Sequence, residues 1–486
     1  MYKRFFCVAT LFAIAAQLVA CSKPAEEVKQ PVVVETTAQT EETEEVFPHE
    51  PMDFDGHLFY VIVDQENINT LDIEDFDITE ENGEVLNDAV FRRNLEVSER
   101  FNVKFGSYHS TNITADVDKV VKAGTNDYDA FMPRLMNAAT IATNGYAHEL
   151  TGLKYLSLDK PWWDVNTTHD LSIGNMLYII AGDIFYKHYD GTPMMLFNKR
   201  IITDFNLENP YELVYNNEWT IDKFNEMAKA ATHDLNGDGK MDKDNDLYGL
   251  STQADYLTSM LNGCGVKFVE KDENDFPYSA INTEKAVTVI DKILEHYANY
   301  SWCIHRDAAA ASLSQFWVFP NGHSLFFWSL ARFINLGLRD MEDEFGILPI
   351  PKYESKQSRY YHTLNNWHAY TYVLPITTPA DEIDRTAYIS DALAYYGRKY
   401  ILPAYYDICL TRKYVRDNES SAMLDIIFTS TVYDLGTVFN FGTFVNHLEQ
   451  LIQKNSIQLA SAYAKLEKRI NKDIDKIIET FIELKK

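Results

Sequence analysis

Asp234-Leu235-Asn236-Gly237-Asp238-Gly239-Lys240-Met241-Asp242 runs on through Lys243-Asp244-Asn245-Asp246 to Leu247-Tyr248-Gly249-Leu250, and the fold assignment turns on how this stretch is read. Asp, Asn and Asp stand at positions 1, 3 and 5 of the loop, Gly at 6 and Asp again at 9. Such a loop wraps hard oxygens round Ca²⁺, with alternate side chains, a backbone carbonyl at position 7 and a Gly for the sharp turn. An EF-hand would carry a bidentate Glu at position 12. Here that place is Asn245, flanked by Asp244 and Asp246. The competing reading is a solvated Asp/Asn/Gly turn. On its own, the loop separates neither these two nor a calcium function from a structural staple.

Upstream, Trp219-Thr220-Ile221-Asp222 opens a helix with Thr220 as N-cap. Phe224, Met227, Ala228 and Ala231 face inward, and the helix delivers the chain to the loop. Trp219, one residue before the cap, reads as a structural staple. Before that, 194–199 is a short apolar strand and Asn209-Pro210-Tyr211 a break. Downstream, Ala286, Val289, Ile290, Ile293 and Leu294 predict a helix over 283–297.

Nearer the N-terminus the pattern alternates. Strands are expected at 58–63, 103–108 and 128–132, with helices at 87–101, 113–123 and 134–143. That order implies βαβ units and a mainly parallel sheet. No Gly-rich phosphate fingerprint sits at a strand-to-helix turn, so a dinucleotide-binding reading has no support. Residues 322–333 and 345–351 are apolar, 369–374 is strand-like, and the chain beyond 381 reads as mainly helical. The amphipathic stretch 450–484 drifts out of any heptad, so it docks on a body rather than forming a coiled coil.

A length of 486 residues implies two or more domains. The net charge of −28 argues against nucleic acid and anionic membrane surfaces as partners, since both need positive protein patches. Lys3 and Arg4 precede an apolar run over 5–20 that is short for a membrane span. It ends Leu18-Val19-Ala20-Cys21-Ser22, which resembles a bacterial lipobox with Cys21 as the lipidated, mature N-terminus. Residues 1–20 are then a lipoprotein signal peptide, and 21–55 an acidic flexible tether holding the body away from the cell membrane. Both features place the protein outside the cytoplasm, attached to the membrane through the lipid anchor only. Beyond Cys21 only Cys264, Cys303 and Cys409 remain, too few for complete pairing and with no zinc-like spacing.

These pieces together resemble the family 1 extracellular solute-binding lipoproteins of bacterial carbohydrate ABC importers. The resemblance is carried by Asn209-Pro210-Tyr211-Glu212-Leu213-Val214, Trp219-Thr220, the loop closing on Tyr248-Gly249-Leu250, and Arg339-Asp340-Met341-Glu342-Asp343-Glu344-Phe345-Gly346-Ile347-Leu348-Pro349 with Pro351-Lys352-Tyr353 behind it. It implies an α/β, two-lobed, periplasmic-binding-protein-like (type II) fold with three hinge crossovers and a helical C-terminal region. Carried onto this chain, the crossings fall near 191–195, 325–328 and 374–377. The lobes are then 56–192 plus 329–375, and 193–328 plus 376–486. The resemblance further implies a monomeric receptor for a carbohydrate, delivering it to ABC transporter permease subunits. It implies a structural Ca²⁺ away from the sugar, held by Asp234, Asn236, Asp238, the Lys240 carbonyl and Asp242 in the loop 234–246. At the last ligand position the chain departs from the family pattern, and Asp246 is the favoured candidate.

A sugar offers hydroxyls for hydrogen bonds and C–H patches for an aromatic face. Trp162 and Trp163 follow Pro161 in a loop, where a strand's alternation would turn one of them toward a cleft. Trp328 falls on an expected crossing, and Trp367 lies in the polar Asn365-Asn366-Trp367-His368 loop. Trp317 is a further candidate, and Asp129 stands for the lobe-edge carboxylates that could hold hydroxyls. No metallopeptidase, serine-hydrolase or P-loop signature is present, and no catalytic residue is assigned. Two other outputs stay open: a receptor of the same fold feeding a sensor, and a secreted glycoside-active enzyme using a carboxylate pair distant in sequence.

Overall fold

The computed structural model describes residues 46–65, 76–297, 303–305, 318–338, 341–411, 418–454 and 456–485. The leader, Cys21, the tether up to residue 45, Trp302 and Trp317 lie outside the described residues. Among the described residues no helix is long and apolar enough to cross a membrane.

The first lobe is built on β1 (His57–Asp64), α1 (Val85–Phe101), β2 (Val103–Ser110), α2 (Ile113–Ala123), β3 (Ala130–Met132) and α3 (Leu135–Thr143). Its strands pair in the order β2-β1-β3, all parallel, as the βαβ alternation requires. β1 is rich in β-branched and aromatic residues and becomes fully buried from Val61 onward, as a covered parallel strand should. The expected strand at 369–374 is present only as bridges, Phe131 with Val373, Arg134 with Tyr370 and Ile180 with Tyr372. It lies antiparallel beside β3 and so closes the first lobe.

Two short helices follow, α4 (Val165–Asp170) and α5 (Lys187–Asp190), and β4 (Pro193–Asn198) then enters a second sheet. Around it stand α6 (Lys199–Asp204), α7 (Pro210–Tyr215), α8 (Ile221–Ala231), β5 (Tyr248–Thr252), α9 (Tyr256–Gly263), β6 (Val269–Lys271), β7 (Pro277–Ser279), α10 (Glu284–Tyr297), β8 (Cys303–His305), β9 (Ser324–Leu330), α11 (Ala331–Gly337) and β10 (Phe345–Leu348). The five-stranded order is β10-β4-β9-β5-β8, with β4 antiparallel to both of its neighbours. Helix starts match their local chemistry. Asn198, Asn209 and Thr220 each accept a hydrogen bond from a backbone N–H in the first turn of α6, α7 and α8. Trp219 is fully buried and its Nε1 donates to the Pro349 carbonyl at 2.8 Å, which is the staple read from the sequence.

The chain returns through β11 (His362–Thr363) and ends in α12 (Ile383–Thr411), α13 (Asn418–Thr429), β12 (Thr431–Val432), α14 (Leu435–Phe439), α15 (Phe444–Gln453) and α16 (Leu459–Leu484). The expected helical stretch 450–484 is two helices, broken where α15 is capped at Lys454.

Three boundaries differ from the sequence reading. Residues 325–328, expected as a crossing, lie in β9, where every residue is buried between β4 and β5. An apolar run buried on both faces looks the same in a crossing and in a central strand, and pairing alone separates them. β10, expected in the first lobe, pairs with β4 in the second sheet. The start of α12, expected in the second lobe, packs on the first: Asp391 accepts from both Trp162 and Trp163. The chain therefore crosses at 190–193, returns at 364–369, and crosses again along α12. Pro403 interrupts the hydrogen bonding of α12. Ile401 and Tyr405 flank it and join Leu86, Leu196, Phe327 and Ile347 in one buried cluster shared by both lobes.

Candidate functional site

The return crossing 364–369 is held at every backbone turn. Asn365 N–H donates to the Gly191 carbonyl at 2.8 Å, and Gly191 is needed there because a Cβ would lie 2.6 Å from Ala369 Cβ. Asn365 Nδ2 donates to Asp255 Oδ2 at 2.7 Å, and Asn365 Oδ1 accepts from Trp367 N–H at 3.0 Å. Asn366 Nδ2 donates to the Thr437 carbonyl at 2.9 Å, and its carbonyl accepts from Met136 N–H at 3.1 Å. This loop thus ties together the first crossing, the start of α3, the residues after β5 and the end of α14. Trp367 takes no part in that packing beyond its N–H, and its side chain is left 50% exposed.

Trp367 borders a groove of about 360 Å³. One wall is the α3 face with Thr140, Thr143 and Asn144. Opposite stand Phe439, Asn440 and Phe441, with Asp473, Lys476 and Ile477 of α16 behind them. The Phe439 and Phe441 rings stack at 5.5 Å with 10° between planes, across the left-handed Asn440 (φ 47°). Exposed aromatic surface bordered by side-chain amides and hydroxyls is the chemistry that fits a sugar's C–H patches and hydroxyls.

A larger cavity of about 1060 Å³ lies between α4, the β6–β7 hairpin and the segment 432–435. It fits a ring ligand less well. Lys271 Nζ is committed to Asp275 and Ser172, each at 2.9 Å, and to the His169 carbonyl. Asp434 accepts from the N–H groups of Phe268 and Gly436, and burial raises its carboxyl to about 6 despite them. The Tyr361 ring lies beneath the Arg359 guanidinium at 4.8 Å, and Tyr433 is buried with its hydroxyl on Asp164.

Of the residues singled out by sequence, the structure brings Trp367 alone to this groove. Trp162 and Trp163 are 0% and 2% exposed, and neither faces a cleft. Their segment is a turn rather than a strand, so no alternation applies. Both indole N–H groups converge on one Asp391 oxygen, at 2.9 and 2.7 Å. Trp328 is buried in β9, and its Nε1 has no hydrogen-bond partner among the described residues. Asp129 is buried too, bonding His57 Nε2 and Tyr60 N–H at 2.9 Å each, which fixes the start of β1. Phe439, Phe441 and the α3 face were missed because they meet only through tertiary packing. Asp64, buried at the end of β1, is structural: it accepts from Arg134 N–H and Nε at 3.1 Å and from Asn137 Nδ2 at 2.5 Å.

The loop 234–246 lies elsewhere, clasped by the paired backbones of His233 and Leu247. Asp234 accepts from Gly237 and Gly239 N–H at 2.7 Å, Asn236 from Asp238, and Asp238 from Lys240. Gly237 and Gly239 adopt φ of 72° and 79°. Asp246 is fully buried and staples the loop, accepting from Leu235 N–H at 2.9 Å and Asp242 N–H at 2.7 Å. Among the described residues no three His, Cys, Asp or Glu side chains are gathered as round a metal ion. Asp234, Asn236, Asp238 and Asp242 supply hard oxygens of the type Ca²⁺ takes, while both oxygens of Asp246 are engaged by backbone N–H groups.

No family model and no curated protein sequence matches the chain. Solved structures do. The cyclic α-maltosyl-1,6-maltose binding protein from Arthrobacter globiformis aligns with a TM-score of 0.58 at 12% identity, covering 86% of this chain and 99% of its own. An ABC transporter solute-binding protein from Thermotoga lettingae bound with α-D-tagatose gives 0.53 at 13%, covering 86% and 100%. An ABC substrate-binding protein from Listeria monocytogenes in complex with cycloalternan gives 0.52 at 12%, covering 88% and 99%. The chain has the two-lobed α/β fold of these solute-binding proteins.

Proposed function

We propose that the protein is an extracytoplasmic receptor that captures a carbohydrate in the Trp367 groove and delivers it to an ABC transporter permease. The observation that carries this reading is Trp367 itself, half exposed on the crossing between the lobes beside the Phe439–Phe441 stack and a ring of amides. The sugar is an oligosaccharide contacting both lobes, so its binding energy shifts the population toward the closed form. Catalysis is no part of the proposal. Lipidation of Cys21 tethers the folded body to the membrane through the acidic segment that follows.

Ca²⁺ is proposed as a structural ion held by Asp234, Asn236, Asp238, the Lys240 carbonyl, Asp242 and Asp246. It would supply a fixed positive charge joining α8 to β5, remote from the groove.

A thermal-shift screen of xylan, mannan, glucan, pectin and alginate oligosaccharides, with calcium and with EGTA, tests both parts. One glycan class should raise the melting temperature without being cleaved. EGTA should lower the melting temperature by about a degree, since a few-fold excess of ion over Kd contributes about 1 kcal/mol to a body this large, while sugar affinity stays unchanged. Cleavage of the glycan would overturn the receptor reading. Loss of sugar binding in EGTA with the fold intact would move the ion to the groove.

A further inference from the structure

We infer that Asp473 and Lys476 on α16 contact the ligand and set a preference for uncharged sugar rings, an inference that rests on reading the Trp367 groove as a carbohydrate site. Among the described residues these two are the charged ones lining the groove, and the rest of its polar surface is Asn144, Asn366, Asn440, Asn446 and two threonines. Three residues apart on one helix, they share a face, with Ile477 beside them buried at 1%.

The helix that presents them is held at its middle and at its C-terminal end. Near its middle, Ile470 packs on Gly442, where a Cβ would come within 2.7 Å of the Ile470 side chain. Asp473 Oδ2 accepts from Gly442 N–H at 2.9 Å, which orients the carboxylate. At the far end the Phe481 ring lies 4.4 Å from Tyr178 of the first lobe, and the Tyr178 hydroxyl donates to the Phe481 carbonyl at 3.2 Å. The α16 wall therefore spans from the second lobe to the first, and its side chains are presented from a rigid element.

The chemistry of that wall is selective. A hydroxyl both donates and accepts; Asp473 accepts, Lys476 donates, and the four Asn side chains do both. Charge-assisted bonds to hydroxyls are the stronger ones. A carboxylated sugar would face Asp473 as a like charge, inside a protein of net charge −28. The single Lys476 is balanced by Asp473, so the groove carries no net cation to hold a uronate. A volume of about 360 Å³ stands near the lower end of small-molecule sites, roughly 300–1,000 Å³, and suits one or two rings of a longer chain.

The test is calorimetric titration of the full chain and its variants Asp473→Asn, Lys476→Met, Lys472→Met and Trp367→Ala. The probes are neutral disaccharides of gluco-, manno- and xylo-type and the corresponding uronate disaccharides, and melting temperatures check folding. The wild type should bind a neutral sugar at least about tenfold more tightly than its uronate counterpart. Asp473→Asn and Lys476→Met should each lose about tenfold in affinity for that sugar. Lys472→Met, the same charge change on the same helix outside the groove, should lose none. Wild-type affinity in the Asp473 and Lys476 variants, with binding lost in Trp367→Ala, would overturn this inference and leave the receptor reading standing. Tighter binding of uronates would overturn the charge assignment. Absence of binding by any sugar would remove both.

Discussion

Single residues decide which aromatic groups face solvent, and here the sequence was least legible. Seven tryptophans look alike in a string, and their flanking residues do not state which indole N–H finds a partner inside. Trp162 and Trp163 are committed to Asp391, a fully buried carboxylate that also accepts from Ser157 N–H at 3.0 Å. Asp391→Ala would strand these donors together, and a loss of about 3–5 kcal/mol is expected in urea unfolding. Trp219 and Trp328 offer a sharper comparison, since both are buried but, among the described residues, Trp219 donates a hydrogen bond and Trp328 finds no acceptor. Replacement by Phe removes similar volume at each site. Trp219→Phe should therefore cost about 1–3 kcal/mol more than Trp328→Phe, because only the former leaves a buried carbonyl unpaired. Equal losses would mean that Trp328 Nε1 has a partner too.

At the scale of elements the sequence was far more legible. The first three strands and three helices fall within a few residues of where the sequence puts them, because they alternate in short segments and α1 and α2 end on the left-handed Asn102 and Gly124. β9 was read as a crossing because a run buried on both faces has no periodicity, and only its pairing with β4 and β5 places it in the sheet. α12 was misplaced because the chain returns to the first lobe before the helix begins, a long-range fact absent from local pattern. Close packing between elements sets strict limits. A Cβ at Gly249 of β5 would lie 2.2 Å from the Ala228 carbonyl of α8, so Gly249→Ala must push helix from sheet. A loss of several kcal/mol, or failure to fold, is expected.

The short β11–β12 pair carries a pH response. Ile350 N–H donates to His362 Nε2 at 3.0 Å, so the neutral ring bears its proton on Nδ1, toward Ser430 Oγ at 2.8 Å. Burial pushes this imidazole down to about 3. Unfolded, it titrates near 6.5, so between those values the unfolded chain binds more protons. Its contribution is complete above pH 6.5 and is lost as pH falls, at about 1.4 kcal/mol per unit. Asp434 acts oppositely: raised to about 6, it takes up a proton in the folded state first and gains stability as pH falls from 6 toward 3.8. His362→Gln should be destabilised at pH 7 through its lost hydrogen bond. That deficit should shrink by roughly 2–3 kcal/mol at pH 4.5, because the variant has no imidazole to protonate. A deficit equal at both pH values would show that His362 does not titrate in this way.

The whole molecule is two α/β lobes joined at 190–193, at 364–369 and along α12, with one buried cluster running through the junction. Sequence read the architecture because strands, helices and the acidic loop came in a specific order, and solved solute-binding proteins share that architecture across most of the chain. The groove itself was not legible beyond Trp367, since its walls come from α3, 438–441 and α16, segments far apart in the chain. The loop 234–246 sits apart from these walls, so removal of the Ca²⁺ proposed for it is expected to lower the stability of the second lobe and leave the affinity of the groove unchanged. The central claim is that this junction holds a carbohydrate. Its most direct test is titration of the full chain with the oligosaccharide that stabilises it most, beside Trp367→Ala. Trp367 is half exposed, so its loss should leave the melting temperature within about a degree. Saturable binding by the wild type is expected, weakened at least about tenfold in Trp367→Ala. Undiminished affinity in that variant, or no saturable binding of any glycan by the wild type, would contradict it.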